Sequence, residues 1–195
     1  MELVELNKVC HKITDGSHNP PKGIESGKLM LSSRNIYNEG LILEDVRYLS
    51  NEDFEKENKR TDVNPGDILM TIVGTLGRVL IVNENYPKFT LQRSVGVLKP
   101  NQEVLSPDYL ALALKSETFQ RKLTQGAKGV AQKGIYLKDI RKLKIPLPPL
   151  DQQKKIAAIL DAADTYRQKT KALIEKYDEL TQSLFLFVIR NLLFS

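Results

Sequence analysis

The C-terminal segment restricts the possible folds most strongly, because no glycine or proline occurs between Asp151 and Ser195. Small and apolar residues recur there at alternating three- and four-residue intervals over more than four heptads, as in the seam of a coiled coil. A helix of about 40 residues would be about 60 Å long. Such a helix is too long for a small domain to cover, so the seam predicts a partner helix. The alternative is an amphipathic helix that folds back on its own sheet. The seam residues are Ile156, Ile159, Ala163, Tyr166, Thr170, Leu173, Tyr177, Leu180, Leu184 and Phe187.

A proline-rich segment, residues 145–150 (IPLPPL), precedes this helix. Proline neither continues a helix nor occupies a central strand, so the segment is predicted to be extended and stiff. Asp151 follows it and offers a helix N-cap. We therefore predict a globular domain over residues 1–149 and a long dimerisation helix over residues 150–195.

Strand and turn signals dominate the first half of the chain. Residues 64–67 (NPGD) are turn formers, and residues 68–73 (ILMTIV) are an apolar run rich in strand formers. Residues 74–78 (GTLGR) interrupt this run before residues 79–82 (VLIV) resume it, which predicts a hairpin in a buried sheet. Residues 89–98 (FTLQRSVGVL) predict a third strand.

One shorter helix is predicted over residues 107–124. Ser106 is of the N-cap type, Pro107 suits the first helical position and Gly126 supplies a stop. The predicted fold class is therefore α+β: a mixed, mostly-β domain with peripheral helices, followed by one long C-terminal coiled-coil helix.

Composition argues against several kinds of site. Cys10 is the single cysteine, and His11 and His18 are the two histidines, so neither an internal disulfide nor a clustered zinc site is expected. Residues 19–22 (NPPK) lack the aromatic residue of an adenine methyltransferase motif, and residues 23–29 (GIESGKL) lack the spacing of a phosphate-binding loop. The sequence has no signal-peptide core and no apolar stretch of membrane-spanning length. We expect a cytoplasmic protein that does not associate with membranes and has no catalytic or metal site.

Positive charge is concentrated in one segment. Residues 1–120 carry 14 Lys and Arg against 17 Asp and Glu, residues 121–144 carry 8 against 1, and residues 145–195 carry 7 against 6. A local basic band suits a polyanion such as nucleic acid, although a solvated charged surface gives the same pattern.

Five loops combine small turn residues with side chains that can read DNA. Arginine binds guanine, and glutamine or asparagine binds adenine, through two hydrogen bonds each, whereas lysine and backbone N–H groups bind phosphate. One such loop is ordinary turn chemistry, but their recurrence together with the basic band predicts DNA binding. The loops are residues 14–18 (TDGSH), 32–35 (SSRN), 74–78 (GTLGR), 92–94 (QRS) and 126–134 (GAKGVAQKG).

These pieces, in this order, resemble the specificity subunits of type I restriction-modification systems over nearly the whole chain. The most distinctive part is the proline-rich run that leads through Gln152 and Gln153 into the long helix. The matching segments are residues 4–6 (VEL), 15–18 (DGSH), 31–36 (LSSRNI), 65–69 (PGDIL), 74–77 (GTLG), 92–94 (QRS), 129–135 (GVAQKGI) and 145–153 (IPLPPLDQQ).

The resemblance implies a target-recognition domain that reads half of a bipartite DNA sequence, and a helix that is both a spacer and a docking site for the methyltransferase subunit. A complete subunit has two such domains and two antiparallel helices, whereas this chain has one of each. We expect an antiparallel homodimer, because the seam is long and the chain begins at Met1; a fragment of a longer subunit is the alternative.

The resemblance also implies the partners. They are double-stranded DNA, the DNA adenine methyltransferase subunit and, in systems that cleave DNA, a restriction motor subunit. S-adenosylmethionine, and ATP with Mg²⁺ where a motor is present, would be bound by those subunits. The chain itself is expected to hold no cofactor and to catalyse no reaction.

In this arrangement the loops are predicted to read base edges and the basic band to bind phosphates. Two alternative functions remain for the chain: a coiled-coil adaptor with a basic protein-binding surface, and a free-standing enzyme. Arg34 and Arg93 could also form internal salt bridges instead of contacting DNA. The predicted base-reading residues are Arg34, Arg78, Gln92, Arg93 and Gln132, the phosphate-binding residues are Lys22, Lys128 and Lys133, and further DNA contacts are Ser17, His18, Ser33 and Thr75.

Overall fold

The computed structural model describes residues 2–127 and 134–193. By its internal contacts the chain forms two compact units, the first ending at Lys154 and the second beginning at Lys155. The division into functional domains at residues 149 and 150 stays a prediction. The α+β class is confirmed, with a sheet-rich unit and a long C-terminal helix.

Three small sheets and five helices that end before residue 150 build the first unit over its described residues. A four-stranded antiparallel sheet has the order β2-β8-β5-β6, a three-stranded sheet has the order β4-β3-β7, and β1 pairs with β9. The strands are β1 (Leu3–Glu5), β2 (Cys10–Asp15), β3 (Lys28–Leu31), β4 (Arg47–Leu49), β5 (Ile68–Thr71), β6 (Val79–Ile81), β7 (Phe89–Leu91), β8 (Val95–Pro100) and β9 (Lys144–Pro146). The helices are α1 (Leu6–Val9), α2 (Asn51–Thr61), α3 (Pro107–Lys115), α4 (Glu117–Gly126) and α5 (Leu137–Lys142), and α6 (Leu150–Leu193) follows them.

The predicted hairpin is confirmed by the antiparallel pairing of β5 with β6, in which Ile68 lies opposite Ile81. β5 also pairs with β8, so it is a central strand, and all four of its residues are buried. Burial on both faces explains why this strand is continuously apolar and does not alternate with polar residues. In the turn before it, the Asp67 carboxylate accepts a hydrogen bond from the Asn64 N–H at 2.8 Å.

The predicted single strand over residues 89–98 is wrong, because this segment forms two strands in different sheets. β7 pairs in parallel with β3, whereas β8 pairs with β2 and β5. Between them the chain turns, and the Val95 N–H donates to the Gln92 carbonyl at 3.0 Å. The polar residues 92–94 therefore connect the two sheets.

The predicted single helix over residues 107–124 is also wrong, since it is divided at Ser116 into α3 and α4. Ser116 has extended backbone dihedral angles, and its hydroxyl accepts a hydrogen bond from the Phe119 N–H at 3.3 Å as the N-cap of α4. Serine competes with the helix backbone in this way and favours caps over helix interiors. Ser106 lies at the N-cap position of α3 as predicted but makes no side-chain cap bond.

The core lies between the four-stranded and the three-stranded sheets. It draws residues from both, which holds the ends of their strands at fixed positions. Its buried members are Leu31, Ile36, Leu69, Leu80, Val82, Phe89, Leu91, Val95 and Val97. Burying side chains of this size contributes about 1.5–3 kcal/mol each.

The start of α6 is anchored by Gln153 rather than by a capping aspartate. The helix begins at Leu150, so Asp151 lies in its first turn and the predicted Asp151 N-cap is wrong. The Gln153 side chain is fully buried; its amide donates to the carbonyls of Val104 and Pro148 at 2.8 Å, and its oxygen accepts from the Ser106 N–H at 2.9 Å. A polar residue whose hydrogen bonds are all satisfied internally fixes the first turn without a desolvation penalty.

The second unit consists of the rest of α6. All the predicted seam residues after Ile156 are exposed, and Ile156 is half-buried. Within the part of the chain that the structure describes, no helix combines the length and the apolar content needed to cross a membrane.

Candidate nucleic-acid interface

Backbone hydrogen bonds join three of the predicted DNA-reading loops. The Ser17 N–H donates to the Leu91 carbonyl at 2.7 Å, and the Arg93 N–H donates back to the Ser17 carbonyl at 2.9 Å. The Gln92 N–H donates to the Leu31 carbonyl at 2.8 Å. The ends of β2, β3 and β7 thereby bring residues 14–18, 32–35 and 92–94 together.

The close contact between the first and third of these loops requires glycine at position 16. A Cβ atom there would lie 2.1 Å from the Leu91 carbonyl oxygen, well inside van der Waals contact. The absence of a side chain lets the two backbones approach each other.

The two other loops adjoin the same region. The Arg78 guanidinium donates from Nη1 to the Ser33 and Ile36 carbonyls at 3.4 and 3.3 Å, so residues 74–78 are attached to residues 32–36. Gly134, the last residue of the fifth loop, forms an isolated bridge with Val73. The described parts of all five loops are thus connected, although the sequence places them far apart.

Arg34 and Arg78 lie in opposite environments. The Arg34 side chain is 81% exposed and forms an ion pair at 3.3 Å with Asp45, which is equally exposed. Pairs of this kind contribute little stability, so the Arg34 guanidinium is available to a ligand. Arg78 is half-buried, and its guanidinium carbon lies 4.0 Å from the centroid of the Tyr37 ring. These internal contacts attach Arg78 to the loop that carries Arg34, and its role in base reading stays a prediction.

The remaining predicted contacts vary in accessibility. His18, Lys22, Thr75 and Arg93 are exposed, Ser33 and Gln92 are half-buried, and Ser17 is buried. The Ser33 N–H donates to the Ser94 hydroxyl at 3.0 Å, which fastens the second loop to the third. The roles of all these residues in DNA binding stay predictions. Lys128, Gln132 and Lys133 lie outside the described residues.

Sequence reasoning missed a charged cluster around Asp15. The Asp15 side chain is 8% exposed; one carboxylate oxygen accepts from Arg60 Nη2 at 2.5 Å, and the other lies 2.8 Å from His18 Nε2. Arg60 Nε also donates to the Asp15 carbonyl at 2.9 Å. Arg60 belongs to α2, a highly charged helix with few apolar residues, so neither periodicity nor sequence proximity indicated it.

No reactive thiol or metal site adjoins the loops within the described residues. Burial raises the pKa of the Cys10 thiol to about 12, which keeps the sulfur protonated and unreactive at neutral pH. Burial also raises the pKa of Tyr109, whose hydroxyl donates to the Pro146 carbonyl at 3.0 Å. Among the residues that the structure describes, no group of histidine, cysteine and acidic side chains is arranged to hold a metal ion.

Comparison with known proteins identifies the family. The model of the type I restriction modification DNA specificity domain matches residues 1–187. The chain is 29% identical over 176 residues to the type I restriction enzyme EcoBI specificity subunit of Escherichia coli, covering 88% of this chain and 37% of that protein. It is 27% identical over 192 residues to the MjaVIII specificity subunit of Methanocaldococcus jannaschii, covering 95% of this chain and 45% of that protein.

The fold agrees with a solved structure. The crystal structure of the HsdS subunit from Thermoanaerobacter tengcongensis superposes with a TM-score of 0.69 at 18% identity, over 94% of this chain and 46% of that one. The chain thus spans less than half the length of each of these relatives. Because the family model covers nearly the whole sequence, the chain belongs to the family of type I restriction-modification DNA specificity domains.

Proposed function

We propose that this chain is the DNA-recognition subunit of a type I restriction-modification complex and that each copy reads one half-site of a bipartite target. The observation that carries the proposal is the joining of the polar loops at one region of the first unit, in a chain of this family. Rigid strands beneath variable polar loops are a common way to hold base-reading side chains in place.

Arg34 and Arg93 are the main proposed base-reading residues, because both are exposed on loops that the backbone holds together. An arginine can bind the O6 and N7 atoms of guanine through two hydrogen bonds in the major groove. Gln92 and Gln132 are proposed to read adenine, and Ser17, His18, Ser33 and Thr75 to add contacts nearby. Lys22, Lys128 and Lys133 are proposed to bind phosphates.

Dimerisation through α6 is the second part of the proposal. Its exposed seam supports pairing with a second copy, and antiparallel pairing would place a recognition unit at each end and so read an inverted repeat. The methyltransferase subunit would bind this assembly and bring S-adenosylmethionine. A motor subunit, where present, would bring ATP with Mg²⁺, so that methyl transfer and cleavage occur outside this chain.

Selection from a pool of random DNA duplexes tests the recognition role directly. The chain, alone and with the methyltransferase subunit of its own system, is incubated with the pool, and the retained duplexes are sequenced. We expect enrichment of one inverted repeat with a fixed spacer. Enrichment of no sequence in either arm, with binding instead to acidic proteins, would contradict DNA recognition.

Arg34→Ala is the matching variant. It should relax the preference at one position of each half-site, at a cost of about 1–3 kcal/mol in discrimination. Lys88→Ala is its control, because Lys88 is an exposed basic residue directly before β7, at the opposite end from residues 92–94. The control should retain the sequence preference of the unsubstituted chain.

The proposed phosphate-binding lysines are tested by the salt dependence of the affinity. Replacing Lys128 and Lys133 together by alanine should reduce the slope of log K against log salt by about 0.9 for each phosphate that the variant no longer binds. An unchanged affinity and slope would show that these two lysines do not bind phosphate.

A further inference from the structure

An open cleft of about 420 Å³ lies between the first DNA-reading loop and α2. One wall is the loop that follows β2, and the other is the C-terminal half of α2. The lining residues are Ser17, His18, Asn19, Lys56, Glu57 and Arg60.

Asp15 holds two of the lining side chains in place. Its buried carboxylate uses one oxygen for Arg60 and the other for His18, so both are fixed by the same group. Arg60 uses Nε and Nη2 in bonds to Asp15, and within the described residues no protein acceptor binds its Nη1 group. The guanidinium is therefore oriented by the protein and still has N–H groups to donate.

Lys56 adds a second cation to the same wall. It precedes Arg60 by four residues, so the two lie on the same face of α2, one turn apart. Its side chain is exposed and forms no ion pair with any described residue. Lys56 and Arg60 are the two basic side chains of the lining and Glu57 is its one carboxylate. Asp15 pairs with Arg60, which leaves Lys56 as the cation without an ion-pair partner among the described residues.

We propose that this cleft binds one backbone phosphate of the DNA duplex, with Arg60 and Lys56 as charged donors. Charged hydrogen bonds from arginine and lysine to phosphate fix the register of a protein on DNA without reading sequence. Ser17, in the wall of the cleft, is bonded through its backbone to Leu91 and Arg93. A phosphate held in the cleft would therefore set the position of the neighbouring base-reading loop. The proposal rests on the proposed function, since it assigns a contact to the same DNA.

Lys56→Ala and its control Lys59→Ala test the site on the duplex obtained by selection. Both lysines belong to α2, but Lys59 does not line the cleft. Lys56→Ala should reduce the salt slope by about 0.9 and weaken binding to all duplexes alike, whereas Lys59→Ala should change neither. Equal slopes for both variants and the unsubstituted chain would overturn the site.

Neutralising single phosphates identifies the phosphate that is bound. A set of duplexes, each with one methylphosphonate, should contain one position per half-site at which the unsubstituted chain loses more affinity than the Lys56→Ala variant, which keeps only the Arg60 contact. The same decrease at every position for both proteins would overturn the assignment. Binding of no duplex by the unsubstituted chain, either alone or with the methyltransferase subunit, would instead overturn the proposed function and this site with it.

A titration with inorganic phosphate alone tests whether the cleft binds a backbone phosphate of DNA or a free oxyanion. The His18 ring resonances should show no saturable shift in its presence, because one isolated contact to a cleft this open is weak, and should shift when the duplex is added. Saturable binding of inorganic phosphate without DNA would assign the cleft to a free anion and overturn the proposal.

Discussion

The two units of this chain differ in the solvent exposure of their apolar side chains. In the first unit most of the large aliphatic residues of the sheets are buried, and Leu31 and Leu69 have no exposed surface. In the second unit the apolar residues of α6 between residues 158 and 190 are exposed to solvent, with Tyr166 72% and Phe187 64% exposed. The buried core therefore stabilises the first unit by itself. An isolated helix in water has little stability and usually depends on the packing of its apolar face. An exposed apolar seam of this length indicates an interaction surface.

The largest effect expected is the loss of the dimer when the seam is made polar. Leu173→Asp combined with Leu180→Asp removes four buried leucines from a symmetric dimer, at about 1.5–3 kcal/mol each, so the dissociation constant should rise by more than about a thousand-fold. Sedimentation velocity at micromolar concentration would show a monomer that retains the fold of the first unit.

Glu175→Ala combined with Gln182→Ala is the control for the seam, because helical periodicity places both residues away from it. This variant should remain a dimer. If the unsubstituted chain itself sediments as a monomer under these conditions, the helix does not pair as proposed, while the recognition role of the first unit would still stand.

The next largest effect concerns the first unit alone. Leu69→Ala removes a fully buried side chain from the core and should lower the free energy of unfolding of that unit by about 2–5 kcal/mol. Circular dichroism during urea denaturation would measure it, with Leu43→Ala, at an exposed position, as a control that changes stability little. An equal loss of dimer affinity in Leu69→Ala would contradict the independence of the two units.

Arg78→Lys gives a smaller effect that separates support of a loop from base reading. Lysine keeps the charge but loses the planar contact with Tyr37 and weakens the bonds to the Ser33 and Ile36 carbonyls, so stability should fall by about 1 kcal/mol. Amide hydrogen exchange should accelerate in residues 33–36, and the preference for the selected duplex should decrease at several positions together. A changed preference at one base position alone, with unchanged exchange, would make Arg78 a base-reading residue.

The smallest effect at neutral pH is expected from Cys10. Burial raises its pKa from 9.0 to about 12 in the folded state, so the folded unit binds this proton more tightly than the unfolded chain does. The contribution to stability is complete below pH 9.0 and is lost progressively as the pH rises towards about 12. Urea denaturation at increasing pH should show this decline, and Cys10→Ala should remove part of it. A decline of the same size in the variant would assign it to other groups.

The parts of the fold that were predicted correctly depend on local sequence patterns. The long helix α6 and the hairpin of β5 and β6 depend on the spacing of neighbouring residues, and both are found. The prediction of one strand over residues 89–98 was wrong because the chain passes from one sheet to another at residues 92–94. The prediction of one helix over residues 107–124 was wrong because Ser116 is the N-cap of a second helix.

The candidate interface was predictable as a set of loops but not as a geometry. Asp15 and Arg60 are 45 residues apart, and only the packing of α2 beside β2 brings them together. Arg34 and Arg78 resemble each other in sequence context, yet one is exposed to solvent and the other is held by backbone carbonyls. Tertiary contacts therefore decide which polar residue of a loop is available to a ligand.

Lengthening α6 is the most direct test of the separate roles proposed for the two units, DNA reading by the first and spacing of the half-sites by the second. Duplicating residues 170–176 inserts one heptad, which keeps the seam in register and extends the helix by about 10 Å. Selection from random duplexes should then return the same two half-site sequences with a spacer longer by up to about three base pairs, at about 3.4 Å of helix axis per base pair. An unchanged spacer, or altered half-site sequences, would contradict the proposal that the first unit reads DNA and the paired helices set the distance between half-sites.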